Sequence, residues 1–189
     1  GEDVSAQNTQ AQAAQWPTGP EVQASSAVVM DASTGTVLFE KDADTPRYPA
    51  SITKIMTTLL ALENCSLDDT VTFSTTAVNQ VEADSGNKIS VVAGDQLSVE
   101  DCLYSLLLVS CNQAANALAE HTAGSISAFV DMMNEKLVEL GCQESHFENP
   151  SGLNGDNQYV SAYDMALIAQ AAYDNETMVE ISSATTHKI

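Results

Sequence analysis

The chain has 189 residues, with 26 acidic and only six basic side chains, a net charge of −20 at pH 7. Cations this sparse argue against nucleic acid and anionic lipid as main partners, because both are bound through clustered Lys and Arg. An apolar content of 44% suits a globular core, and no apolar run of about 18 residues offers a transmembrane helix.

Residues 1–22, with "SAQNTQAQAAQWPTGP", are rich in Gln, Ala and Pro and lack hydrophobic periodicity. They are expected to form a flexible leader ahead of one domain over residues 23–189. The start is polar and begins with Gly1, so no signal peptide is visible, and an export signal is expected to have been removed.

Order is expected from about Ala24. "SSAVVMDASTGTVLFEK" places two apolar runs around Asp31–Gly35, the pattern of a β-hairpin with Gly35 where φ must be positive. A loop with two prolines follows. Ser51 to Glu63 then reads as a helix, with Ile52, Ile55, Met56, Leu59 and Leu60 on helical spacing. "TVTFS" and "KISVV" read as short strands, with a turn at Gly94-Asp95. Ser98 with Asp101 resembles a capping box opening the helix "VEDCLYSLLLV". That helix breaks at "SCN", and "QAANALAEHTA" continues to Gly124. Ser125 caps a third helix that ends at Gly141, and "HFENPSGLNG" is a loop. Ser161 with Asp164 caps a fourth helix, and the closing "ATTHKI" reads as the start of a strand. A hairpin, several helices and an unfinished strand give an α+β class.

Cys65, Cys102, Cys111 and Cys142 form no C-x-x-C pair, which argues against a zinc site. On one helix Cys102 and Cys111 would stand about 13.5 Å apart along the axis, too far to bond. The thiols are therefore read as free and buried.

Two short motifs carry candidate chemistry. Ser51 and Lys54 are three residues apart, so on a helix they share one face near its N-terminus. A serine hydroxyl needs a base to become a nucleophile. A lysine can be that base only if burial or a neighbouring cation lowers its pKa. The helix N-terminus also offers backbone N–H groups to a developing oxyanion. Ser51 could equally cap the helix, and Lys54 could reach solvent along its stem. Ser110 and Asn112 sit at the break between two helices. There a hydroxyl can relay a proton and an amide can hold a peptide group. The two could also be a plain helix-cap pair.

Together, Ser51-x-x-Lys54 and Ser110-x-Asn112 resemble the signature of penicillin-binding proteins and serine β-lactamases. "SAVVMDASTGTVLFEKDADTPRYPASITKIMTTLLALE", "VAGDQLSVEDCLYSLLLVSCNQAANALAEHTAGS", "FENPSGLNG" and "SAYDMALIAQAA" resemble the low-molecular-weight D-alanyl-D-alanine carboxypeptidases of the peptidase S11 family. The resemblance runs from about Ser25 to the end of the chain.

The resemblance implies a β-lactamase/penicillin-binding transpeptidase-like fold and a serine-type hydrolase of the bacterial cell envelope. Its substrate would be a peptidoglycan stem peptide ending in D-Ala-D-Ala, and β-lactam antibiotics would acylate the same serine. Ser51 is then the nucleophile and, through its backbone N–H, an oxyanion donor. Lys54 is the base, Ser110 the proton relay and Asn112 the substrate-binding amide. No metal or organic cofactor is implied. Membrane attachment is expected only through a C-terminal anchor absent from these residues.

The family's third motif, Lys-Thr-Gly, is not found. After Ser110 the lysines are Lys136, within a helix, and Lys188, next to the last residue. The expectation is the first two thirds of a catalytic domain, with most of the central sheet missing and little activity on its own. Gln113 stands where the family usually has Asp, a position expected to support the motif's backbone. Two alternatives remain at this point: a serine β-lactamase with Glu148 as a deacylating carboxylate, and a non-catalytic binder of wall peptide or β-lactam.

Overall fold

The computed structural model describes residues 21–49, 51–80, 89–153 and 155–189. The expected leader lies outside them apart from Glu21 and Val22.

Apolar alternation on either side of a polar turn makes the first unit a hairpin. β1 (Ala27–Met30) pairs antiparallel with β2 (Val37–Lys41), Ala27 opposite Lys41 and Val29 opposite Phe39, with a register shift between Val29 and Met30. The turn is held by Asp31, whose Oδ1 accepts from the Ser33 N–H at 2.8 Å and the Ser33 hydroxyl at 2.6 Å. Gly35 adopts φ 73°, as its place in the turn requires.

α1 (Ile52–Asn64) follows the expected span. From Met56 to Ala61 it is buried on every side, so it is the central helix rather than an amphipathic surface one. That placement explains its buried threonines, each of which must find a partner or stay unsatisfied. The Thr58 hydroxyl donates to the Lys54 carbonyl at 2.8 Å, and Thr57 reaches the loop at Pro150.

β3 (Thr70–Thr72) pairs with β4 (Gln96–Ser98), and the short α2 (Thr75–Asn79) lies between them in sequence. The strand expected at "KISVV" is corrected by this pairing. Lys88 lies outside the described residues, residues 89–92 form no strand, and the partner of β3 is Gln96–Ser98 instead.

α3 (Val99–Val109), α4 (Asn112–Ala123) and α5 (Ile126–Glu139) come next. β5 (Ser145–His146) pairs with β6 (Tyr159–Val160), and α6 (Ala162–Tyr173) and α7 (Glu176–Ser183) close the chain. Mixed helices and two-stranded antiparallel sheets give the expected α+β class.

Both expected capping boxes are half present. The Ser98 and Ser161 hydroxyls accept from the Asp101 and Asp164 N–H groups. The two carboxylates turn elsewhere: Asp101 to His187, Asp164 to the Glu144 N–H and the Ser145 hydroxyl.

Residues 184–189, expected to begin a strand, form none. The β-branched residues of that segment, Thr185, Thr186 and Ile189, lie beyond α7 (Glu176–Ser183) and pair with no strand among the described residues. That helix is capped by Asn175, and its Met178 and Ile181, one turn apart, are buried in the core. Beyond α7, His187 stacks on Tyr104 with ring centroids 3.8 Å apart.

Two apolar clusters flank the central helix. Val71, Phe73, Leu103, Leu106 and Leu118 fill one, and Met56, Phe129, Met133, Phe147 and Ile168 fill the other. No helix among the described residues is long and apolar enough to cross a membrane.

Candidate active site

The site is built where α1 begins. Ser51 has helical dihedrals, φ −70° and ψ −13°, and its side chain makes no capping hydrogen bond. Its backbone carbonyl accepts from the Lys54 N–H at 3.2 Å, which fixes the two residues on one turn. The hydroxyl is exposed and uncommitted to the helix, so the capping role is not the one it plays.

Lys54 is 8% exposed, so most of its stem and head are withdrawn from solvent. Among the described residues no carboxylate pairs with it. Burial holds its pKa below that of an ordinary lysine, and the nearby Cys111 sulfur pushes weakly the other way. A buried, unpaired lysine is a costly arrangement, and its neutral form is the one that can accept a proton.

α1 packs against both α3 and α4, which places the second motif beside the first. The break between α3 and α4 is made by Ser110 in the left-handed region, φ 53° and ψ 42°. The turn is closed by the Cys111 N–H donating to the Ser105 carbonyl at 3.1 Å. A non-glycine residue there costs about 1–2 kcal/mol. The return is a sharp reversal that carries Ser110, half-buried, and Asn112, 3% exposed, at the head of α4. The N-cap of α4 is Cys111, without a side-chain hydrogen bond, so the Ser110 hydroxyl is not a cap for the following helix.

The loop after β5 covers the same end of α1. The Thr57 hydroxyl donates to the Pro150 carbonyl at 2.7 Å and the Tyr48 hydroxyl to the Gly152 carbonyl at 3.0 Å. Within the loop, Asn149 binds the Leu153 carbonyl and accepts from the Gly152 N–H. Sequence reasoning missed Tyr48 and Thr57. The one available signal was that Thr57 lies one helical turn beyond Lys54.

Other candidates lie elsewhere. Lys136 in α5 is bound at 2.9 Å by both Glu63 and Glu139, so it is a structural cation. The Glu148 carboxylate accepts from the Asn157 side chain and backbone N–H, which commits it to its own loop. Gln113 is 6% exposed and its Oε1 has no donor among the described residues, so that oxygen does not provide the expected backbone support.

A family model for D-alanyl-D-alanine carboxypeptidase, peptidase S11, matches residues 9–189. The chain belongs to that family. It is 36% identical over 165 residues to the D-alanyl-D-alanine carboxypeptidase DacF of Bacillus subtilis, covering 85% of this chain and 41% of DacF. The crystal structure of the D-alanyl-D-alanine carboxypeptidase DacD from Francisella tularensis superposes with a TM-score of 0.80 at 37% identity, covering 92% of this chain and 42% of that one. Penicillin binding protein 6B from Escherichia coli gives 0.82 at 32% identity, covering 87% and 55%. The chain thus spans about two fifths of the length of the curated relative, and its fold is that of the carboxypeptidase family's penicillin-binding domains.

Proposed function

We propose that the protein carrying these residues is a serine D-alanyl-D-alanine carboxypeptidase of the bacterial cell envelope, trimming peptidoglycan stem peptides and binding β-lactams. The observation that carries the reading is the placement of an uncapped, exposed Ser51 one turn before a buried Lys54 that no carboxylate pairs with among the described residues.

The chemistry follows from that placement. Neutral Lys54 takes the Ser51 proton as Oγ attacks the carbonyl joining the last two D-alanines. The oxyanion forms at the N-terminus of α1, where the Ser51 N–H supplies one donor. As the C–N bond breaks, the proton passes from Lys54 through the Ser110 hydroxyl to the leaving D-alanine amine, while Asn112 holds the peptide backbone. Water then hydrolyses the acyl-serine and returns the base to its starting state.

Residues 23–189 would act as the part of the catalytic domain that carries nucleophile, base and relay. With one oxyanion donor, the 189 residues alone are expected to turn over peptide at least about 10²–10³ below a complete site. Glu148, held by Asn157, is not free to activate a deacylating water, which disfavours a β-lactamase.

The test is labelling with a fluorescent penicillin followed by peptide mass spectrometry. The label is expected on the Ser51 peptide and absent from Ser51→Ala. Label on another serine, or undiminished label in Ser51→Ala, would overturn the assignment.

A further inference from the structure

At the far end of the same two helices, the fold gathers three metal-ligating side chains that are dispersed in sequence. Cys65 caps the C-terminus of α1, Asp69 sits in the turn leading to β3, and His121 lies in the last turn of α4. Their ligand atoms all lie within 4.8 Å of one another, and His121 Nε2 is 3.5 Å from Asp69 Oδ2. In a tetrahedral zinc site, with bonds near 2.0–2.3 Å, neighbouring ligand atoms stand about 3.3–3.6 Å apart. One edge already has that length, and each sulfur edge needs to shorten by at most about 1.2–1.5 Å.

We propose that Cys65, Asp69 and His121 form a binding site for a zinc-type divalent cation, with water in the fourth position. The donor set is one thiolate, one imidazole and one carboxylate, a combination that suits zinc and not magnesium or calcium. On binding, the Cys65 thiol gives up its proton and His121 binds as neutral imidazole.

The surroundings hold the ligands in place. The Ser66 N–H donates to Asp69 Oδ2 at 3.0 Å, and the Asp69 carbonyl accepts from the Val99 N–H at 2.9 Å. Cys65 is fixed by its N–H to the Ala61 carbonyl, also 2.9 Å. Thr122 Oγ1 lies 3.4 Å from Cys65 Sγ, placed to donate to a metal-bound thiolate as an outer-shell group. The side chains of His121 and Asp69 are 27% and 43% exposed, so an ion can enter and a water ligand can remain.

The position argues for a structural ion. Cys65 and His121 end the two helices whose first turns carry Lys54 and Asn112. With 13 residues in α1, the metal would sit about 20 Å from Ser51, too far to touch a reacting atom. It would instead clip the distal ends of α1 and α4 together. The bland competitor is an ion pair between protonated His121 and Asp69, with Cys65 a bystander.

Cobalt(II) titration of the wild-type protein separates the two. The expected result is a near-ultraviolet thiolate-to-cobalt band with tetrahedral visible bands, bleached by equimolar zinc. Cys65→Ser should lose the thiolate band, and His121→Ala should weaken binding at least tenfold, since even outer-shell losses reach that size. Wild-type protein alone gives a second readout, because zinc should slow alkylation of Cys65, followed by peptide mass. A cobalt spectrum without the thiolate band, a band that persists in Cys65→Ser, or Cys65 alkylation indifferent to zinc would each overturn the site. None of these readings depends on β-lactam acylation, so the metal site and the catalytic assignment can fail separately.

Discussion

The hydroxyl of Thr57 donates to the carbonyl of Pro150 at 2.7 Å, one helical turn beyond Lys54 and 93 residues away in sequence. Together with the Tyr48 hydroxyl on the Gly152 carbonyl, it seats the 148–153 loop over the start of α1. Both acceptors are carbonyls of a tight loop with no regular ladder to satisfy them, so the Thr57 hydroxyl ties the loop to α1 and the Tyr48 hydroxyl ties it to the segment that leads into α1.

Thr57→Val keeps the shape and removes the donor, leaving a buried carbonyl unsatisfied. The expected loss is about 1–3 kcal/mol, read as a lower urea midpoint at unchanged slope. Tyr48→Phe should cost less, because that bond is only partly buried. If the loop seats as one unit, the double variant should fall short of the sum by more than about 0.5 kcal/mol. Strict additivity would show that the two bonds act on independent segments.

Lys54 invites the opposite sign. Its pKa lies below the ordinary lysine value of 10.5 because burial disfavours the ammonium. Between the folded-state pKa and 10.5 the unfolded chain therefore binds more protons, and stability rises with pH across that window. Below the folded-state pKa the full cost of burying the charge is present. Lys54→Met removes the charge at similar volume. It should stabilise the fold near neutral pH by on the order of 0.5–2 kcal/mol and abolish the rise in stability over that window. The same variant should slow penicillin acylation by about 10²–10⁴. A Lys54→Met protein that is less stable, or one acylated at the wild-type rate, would remove the lysine from the role of buried base.

These residues also show where sequence suffices and where it does not. Ser51 and Lys54 were legible because one helical turn joins them and α1 is strongly periodic. Ser110 and Asn112 were legible because a polar trio interrupts two apolar helices. The loop over α1 was not, since Thr57 and Pro150 meet only through the tertiary fold. The pairing of β3 with Gln96–Ser98 was missed for a related reason. Ile89–Val92 is more apolar and β-branched than the true strand, and a three-residue ladder leaves almost no local pattern. α7 went unread because it has only eight residues, of which Met178 and Ile181 alone are buried, too few to show a helical period. Cys65, Asp69 and His121 carry no motif spacing at all, and only the convergence of two helix ends brings them together.

Lys136 is the counterpart of Lys54, a buried lysine that keeps its proton. Burial pulls its pKa down, but the hydrogen bonds and charges of Glu63 and Glu139 outweigh that, and the pKa is raised above 10.5. The ion pair to Glu63 links α5 to α1. Its contribution is fully present below 10.5 and is lost as pH rises through the raised folded-state value. Glu63 and Glu139 are 38% and 68% exposed, so solvent screening limits the effect of Lys136→Met to about 1 kcal/mol. The measurement is thermal melting at neutral and strongly alkaline pH. The wild-type advantage should be present at the first and shrink at the second, whereas an advantage that grew with pH would contradict the assignment.

Asp164 carries the sharpest stability prediction. It is 2% exposed, and its Oδ2 accepts from the Glu144 N–H at 2.8 Å and the Ser145 hydroxyl at 2.6 Å. Its own N–H is held by the Ser161 cap. The side chain thus joins the start of α6 to the segment entering β5, in place of the reciprocal cap bond that its position would otherwise supply. Asp164→Ala strands two part-buried donors and should cost about 1–3 kcal/mol. Asp164→Asn keeps one acceptor and should cost less than the alanine variant. Ser161→Ala removes only the cap and should cost about 1 kcal/mol. Denaturation midpoints in the order wild type, Ser161→Ala, Asp164→Ala are expected, and an Asp164→Ala protein as stable as Ser161→Ala would mean that the carboxylate bonds add nothing to the cap.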